Sequence, residues 1–331
     1  MFQSYRLYTK FVTQILFVLC SSLCLLPLNA FAVDPYPNKP IRLIVAFAPG
    51  GPVDSTARIL AVKLSEILKQ SVFVENKAGA GSNIGTQYAA GISDGYTFLV
   101  NSTAFAVNPT LYGPSAGYNP EKDFTPVIVA STQPNVISVN EKVPVKSLSE
   151  LKEYATKEKL AFSSPGSGTT PQLTCEHLFK VVWKSDITHI PYKGAGPASM
   201  AVVAGETPVA CTAVTGVYQF SKQGKVRIIA VSSDKRLPNL PDVPTLSELG
   251  YKNFNDYTWT GFFASSKTPM DMVIKMNQAI NEALKDPDVI SKFEQSGLGV
   301  VGGNTSEAKN YISSEVKHWS QVVKDTGAKV D

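Results

Sequence analysis

Short apolar runs and amphipathic stretches alternate along nearly the whole chain, separated by brief polar or glycine-rich connections. Residues 41–47 form an apolar run of strand length that stops at Pro49, Gly50 and Gly51. Beyond Asp54, Leu60, Leu64, Ile67 and Leu68 recur on one helical face. Residues 71–75 are a second strand, and NKAGAGSNIG (76–85) leads into a helix ending near Ala90. Strands follow at 96–101 and 123–130, with the polar and aromatic stretch STAFAVNPTLY between them. STQPN (131–135) reads as a connection to a strand at 136–139 and as a first crossing between two lobes. Ser147 with Glu150 makes a capping box for a helix ending near Lys157. Residues 160–163, 187–190, 209–213 and 226–231 read as strands, and 171–183 and 198–204 as helices. Thr245 with Glu248 is a second capping box, stopped by Gly250, and 254–264 is the return crossing. Thr268-Pro269 caps a helical tail in which Val273, Met276, Ile280 and Leu284, then Ile312, Val316, Trp319 and Val323, share faces.

Strands and helices alternating through short connections predict an α/β protein with a mostly parallel sheet. Four connections stand out, because each is rich in glycine and leads from a strand into a helix: 47–54, 76–85, SPGSGTT (164–170) and PYKGAG (191–196). Such a turn leaves backbone N–H groups at the positive end of a helix dipole and attracts an anion. Asp54 has a plainer reading as the N-cap of its helix. The hydroxyls of Ser102, Thr103, Ser163, Ser164, Thr169 and Thr170 add donors, whereas Lys77 and Lys193 read as solvated side chains. A site of this kind holds a carboxylate by directed dipoles rather than by an arginine clamp.

Motifs for chemistry are missing. Gly79, Gly81 and Gly85 have the wrong last spacing for a dinucleotide fingerprint, and SPGSGTT has no phosphate-binding lysine. Neither G-x-S-x-G nor H-E-x-x-H occurs. His177, His189 and His318 have no ligand spacing, so no metal and no cofactor is expected, and nothing in the sequence joins Ser164, His177 and Asp186 into a triad.

Arg6 and Lys10, an apolar run over 15–28 and Ala30-Phe31-Ala32 describe a secretory signal peptide over 1–32, cleaved after Ala32. The run falls short of a membrane span and carries Pro27, and Leu precedes both Cys20 and Cys24, against a lipid anchor. Cleavage lowers the formal charge from +4 to +2, too little for a nucleic-acid partner. About 300 residues remain, enough for two lobes. Cys175 and Cys211 also remain, and an exported chain allows either a disulfide or two core thiols.

YPNKPIRLIVAFAPGGPVDSTAR, VENKAGAGSNIG, SDGYTFL, NPTLY, SPGSGTT, PYKGAGPA, GKVRIIAVSSDKR and LPDVPTLSELG, in this order, resemble the exported substrate-binding proteins of tripartite tricarboxylate transporters, the Bug family. The likeness runs from about Tyr36 to Asp331. It implies a periplasmic, two-lobed binding protein of type II kind, each lobe a mixed, mostly parallel sheet flanked by helices, with the ligand between them. Lobe one would comprise 33–133 plus 253–331, and lobe two 134–252. The cleft residues implied are Phe47, Pro49, Gly50, Gly51, Asp54, Ser102, Thr103, Asn108, Ser164, Gly168, Thr169, Thr170 and Gly194. The ligand would be a small organic acid, passed by a monomer to a separate membrane permease without a catalytic step; the alternative is a sensor presenting its closed form to a membrane receptor. Two departures from the family pattern, Pro208 and Gln172, fall in lobe two, where the distal end of the ligand is expected.

Overall fold

The computed structural model describes residues 36–252, 254 and 256–326, and the signal peptide expected over 1–32 lies outside them. The first half runs β1 (Ile41–Val45), α1 (Pro52–Leu68), β2 (Val72–Asn76), α2 (Asn83–Ala90), β3 (Thr97–Ser102), α3 (Ala104–Leu111) and β4 (Phe124–Asn140). Next come α4 (Leu148–Lys157), β5 (Ala161–Ser164), α5 (Thr170–Glu176) with a π turn at His177–Val182, β6 (Thr188–Pro191), α6 (Ala195–Ala204), β7 (Val209–Ala213), α7 (Val214–Lys222) and β8 (Val226–Val231). The chain then returns through β9 (Tyr257–Ser265), α8 (Met270–Ala283), α9 (Pro287–Gln295), β10 (Gly299–Val300) and α10 (Thr305–Thr326).

Two mixed sheets share one strand. In the first, β2, β1 and β3 are parallel, and β9 and β4 follow antiparallel. In the second, β4 pairs antiparallel with β7 and β8, while β7, β5 and β6 are parallel. The fold is thus two-lobed and mixed. β4 is an unbroken strand of 17 residues, so STQPN is not the connection its polarity and Pro134 suggest. Its polar residues Ser131, Gln133 and Asn135 are buried. Pro134 sits opposite Tyr257 of β9, and Asn135 N–H donates to Ser232 Oγ at 2.9 Å, so the backbone remains paired where the strand leaves one sheet for the other.

Helix α3 forms where the sequence pattern showed no element, despite Pro109 inside it. The carbonyl of Phe105, which Pro109 cannot serve, accepts instead from the Tyr118 hydroxyl at 3.0 Å. Phe105 also stacks on Phe263, with ring centroids 4.1 Å apart, at the centre of the first lobe. The second lobe packs Phe162, Leu178, Phe179 and Trp183 around a disulfide between Cys175 on α5 and Cys211 on β7, which resolves the open question of the two cysteines. Both capping boxes form, with Glu150 N–H on Ser147 Oγ at 3.2 Å and Glu248 N–H on Thr245 Oγ1 at 3.0 Å. Asp54 does not cap α1. The helix starts at Pro52 with Gly51 in the capping position, and the Asp54 carboxylate accepts from Gly50 N–H at 3.1 Å, Arg58 Nε at 2.9 Å and Asn76 Nδ2 at 2.9 Å.

Candidate functional site

The carboxyl ends of the parallel strands in both lobes converge on a narrow cavity. Its lining is Phe47, Gly51, Pro52, Val53 and Ser102 from the first lobe, Pro165, Thr169, Thr170, Pro171, Ala195 and Ala213 from the second, and Thr258 from the returning β9. These positions mark the amino ends of five helices. Gly51 is the cap of α1, Ser102 precedes the cap of α3, Thr169 is the cap of α5, Ala195 opens α6 and Ala213 is the cap of α7. Each helix presents roughly half a positive charge and unpaired first-turn N–H groups at its amino end. Among the described residues no lining side chain is charged, so the field in the cavity comes largely from the backbone. The hydroxyls of Ser102, Thr169, Thr170 and Thr258 complete the polar surface, and the remaining side chains are apolar.

Of the residues that the sequence places at the site, Phe47, Gly51, Ser102, Thr169 and Thr170 line this cavity. Pro49, Gly50 and Gly194 instead form a seam beside it. Ala48 N–H donates to the Lys193 carbonyl at 2.9 Å, a Cβ on Gly50 would come 3.5 Å from Gly196 Cα, and one on Gly196 would strike the Pro49 carbonyl. Asn108 and Gly168 belong to a second seam. Asn108 Nδ2 donates to the Gly81 carbonyl at 2.7 Å, Tyr112 Oη donates to the Ser167 carbonyl at 3.3 Å, and a Cβ on Gly168 would collide with Asn108 Oδ1. These glycines let the lobes meet backbone to backbone. Ser164 faces away, with its Oγ 2.6 Å from His189 Nε2 rather than near His177. The Thr103 hydroxyl is buried with no partner among the described residues. Asp54 is committed to Gly50, Arg58 and Asn76, and Lys77 pairs with Glu75 at 2.7 Å, so neither lines the cavity.

Pro52, Pro165 and Ala195 lie within the connections singled out from the sequence, whereas sequence reasoning missed Thr258, Ala213 and Pro171. Their signal was position rather than residue type, since Ala213 ends an apolar strand and Thr258 lies on the return crossing. The two departures separate. Gln172 is buried beside the cavity and its Oε1 accepts from Gly168 N–H at 3.1 Å. Pro208 is at the start of β7, its carbonyl accepting from Asn140 N–H at 3.0 Å. It is therefore roughly 17 Å along the strand from Ala213 and away from any ligand in this cavity.

Thr170 and Thr258 continue into a buried polar network at the crossings. It includes Asn135 on β4, Thr174 on α5 and Asp256 just before β9. Burial pushes the Asp256 carboxyl above the usual carboxylate range, against the opposing pull of the Thr174 hydroxyl and of His177 and His318. No group of three or more His, Cys, Asp or Glu that could hold a metal occurs among the described residues.

A family model described as the tripartite tricarboxylate transporter family receptor matches residues 56–328. Protein BugT of Bordetella pertussis is 35% identical over 304 residues, covering 90% of this chain and 93% of its own. Among solved structures, the periplasmic binding protein BugD superposes with a TM-score of 0.86 at 33% identity, covering 89% of this chain and all of its own. Rpa4515 of R. palustris with adipate gives 0.85 at 30% identity with the same coverage. MatC of Rhodopseudomonas palustris with bound malate gives 0.81 at 30% identity, covering 87% of this chain and all of its own.

Proposed function

The chain belongs to the tripartite tricarboxylate transporter receptor family, the Bug proteins, and from that premise we propose that it captures a small carboxylate in the cavity between its lobes and delivers it to a membrane permease. The observation that carries this reading is the meeting of five helix amino ends on a cavity with no charged side chain. An anion gains from those dipoles, least at α1, where the Asp54 carboxylate already occupies the first turn, whereas an ammonium group is repelled by them and finds no carboxylate in the described lining. The adipate and malate held by two relatives are acids of this class.

The chain works as a periplasmic monomer, after loss of residues 1–32, with no chemical step. The lobes divide as 33–133 with 253–331, and 134–252. Closure follows from differential contact, because a ligand touching Gly51 and Ser102 on one lobe and Thr169 and Ala195 on the other stabilises the form in which both lobes reach it.

The test is a thermal shift of protein unfolded and refolded to strip carried-over ligand, against mono-, di- and tricarboxylates, aromatic acids and amino acids. An acid at 100 times its dissociation constant adds about 2.7 kcal/mol of stability and raises Tm by a few degrees. Shifts from amino acids alone, or a flat panel on folded protein, refute the carboxylate reading.

A further inference from the structure

Resting on the reading that a carboxylate fills the cavity, we propose that its capture is coupled to the uptake of one proton by Asp256, through a hydrogen-bond chain whose polarity reverses. Thr170 and Thr258 both line the cavity, and their hydroxyl oxygens are 2.7 Å apart. Thr258 Oγ1 also donates to Asn135 Oδ1 at 2.8 Å, a carbonyl oxygen that can only accept. The one proton of Thr258 is thereby committed, so Thr170 must donate to Thr258. Across the amide, Asn135 Nδ2 donates to Thr174 Oγ1 at 3.2 Å, and Thr174 Oγ1 donates to Asp256 Oδ2 at 2.8 Å. Every proton in the chain points from the cavity toward the Asp256 carboxylate. In that polarity Thr170 and Thr258 turn only lone pairs to the cavity, and lone pairs repel a carboxylate oxygen.

An anionic ligand is served by the opposite polarity. When Asn135 turns its amide over, Nδ2 donates to Thr258, Thr258 to Thr170, and Thr170 to the ligand oxygen. Asn135 Oδ1 then faces Thr174, which satisfies it only by withdrawing its proton from Asp256. With Asp256 ionised, this strips a largely enclosed carboxylate of its donor. With Asp256 protonated, its own O–H donates to Thr174 Oγ1, and every member of the chain is paired. The Thr170 carbonyl, 2.9 Å from Thr174 Oγ1, is a second acceptor for the Thr174 proton and does not change this preference. The donor-presenting state and protonated Asp256 favour each other, so ligand and proton raise each other's affinity by the same factor. The titratable groups facing Asp256 are His177, on the π turn after α5, and His318, on α10; both favour the ionised carboxylate and neither belongs to the chain. Burial opposes them and moves the uptake toward neutral pH.

The test is isothermal titration of the folded protein with malate, adipate and benzoate between pH 5 and 8. Each pH is measured in two buffers of different ionisation enthalpy, and the acid's own titration is subtracted. For each acid that binds, affinity falls by up to about tenfold per pH unit as pH rises through the window between the free and bound values of the Asp256 carboxyl, and close to one proton is taken up there. Asp256→Asn and, independently, Thr174→Val abolish the uptake, while His177→Gln and His318→Gln retain it. Binding without proton uptake, uptake that survives both chain variants, or uptake lost in a histidine variant overturns the linkage and leaves the carboxylate reading standing. Should none of the three acids bind, the titration is run with whichever acid the thermal-shift panel identifies, and a panel in which no carboxylate binds at any pH overturns the carboxylate reading and the linkage together.

Discussion

Reducing the Cys175–Cys211 disulfide should cost the protein about 4 kcal/mol of stability while leaving its fold intact. The bond joins residues 36 apart in sequence, and closing a loop of that length removes roughly 13 cal/mol/K of entropy from the unfolded chain, close to 4 kcal/mol at 25 °C. The partners also matter by where they lie. Cys175 is on α5, whose amino end reaches the cavity at Thr169 and Thr170, and Cys211 is on β7, which ends there at Ala213. The assay is urea unfolding followed by tryptophan fluorescence, in which Trp183, packed in the same core as the disulfide, reports on the second lobe. With dithiothreitol the midpoint should fall by roughly 1–2 M urea relative to the oxidised protein. Cys175→Ala with Cys211→Ala should fall at least as far and lose all response to reductant. Equal midpoints with and without reductant would refute the entropic argument. Two thiols titrating in denatured, unreduced protein would refute the bond itself.

Three further perturbations address the seams, the Asp54 cluster and the Asp256 network. Gly168→Ala, at φ +84° and against Asn108, should weaken ligand binding about tenfold or more by holding the second seam apart, with little change in the far-UV spectrum; unchanged affinity in a titration would refute the seam. Arg58→Ala takes an ion-pair partner from a buried carboxylate and should lower stability by about 1–3 kcal/mol in urea, with Asp54→Asn in the same background restoring part of it. The Asp256 carboxyl is raised in the folded protein, so it contributes stability below its unfolded value that is lost as pH rises through its folded value. Asp256→Asn should therefore unfold at a higher temperature than the parent at pH 8, and the difference should shrink as pH falls toward 4; a constant difference across that range would count against the buried charge.

The alternation of apolar runs placed eight of the ten strands found among the described residues, because a parallel strand buried on both faces is a continuous apolar word bounded by turns. It failed where tertiary context overrides local pattern. β4 crosses from one sheet to the other, so its middle carries Ser131, Gln133, Pro134 and Asn135, which read as a loop although each polar side chain is buried. Helix α3 was hidden by Pro109, whose missing bond is made good by Tyr118, nine residues later. The same distinction governs the site. Gly51, Ser102, Thr169 and Thr170 were legible because loop composition announces them, and Ala195 lies in a loop of the same kind, whereas Thr258 and Ala213 enter the cavity only through topology. Gly50, Gly168 and Gly194 were recognised as special from loop composition, and the close approach they permit in this structure is that of the other lobe.

The close approach of the lobes at these glycines bears on how affinity and closure are divided. The first seam is built from backbone groups and glycines, Ala48 with Lys193 and Gly50 with Gly196, and the second adds the side chains of Asn108 and Tyr112; none of these groups lines the cavity. Under the proposed function the cavity, in turn, recognises charge with helix ends that substitution of a lining side chain leaves in place. Changing a lining residue such as Phe47, Val53 or Ala213 therefore alters the shape presented to the ligand's body while sparing both the anion-holding field and the closure surface. Only the ligand's differential contact with the two lobes must then be retained for the closed form to be favoured, and moving a protein from mostly open to mostly closed takes about 5.5 kcal/mol of it. A few charge-assisted hydrogen bonds to the helix ends, at about 1.5–3 kcal/mol each, cover that requirement without any contribution from the ligand's body. Under the proposed function the acid group accordingly drives closure, and the neutral lining is free to set which acid is taken.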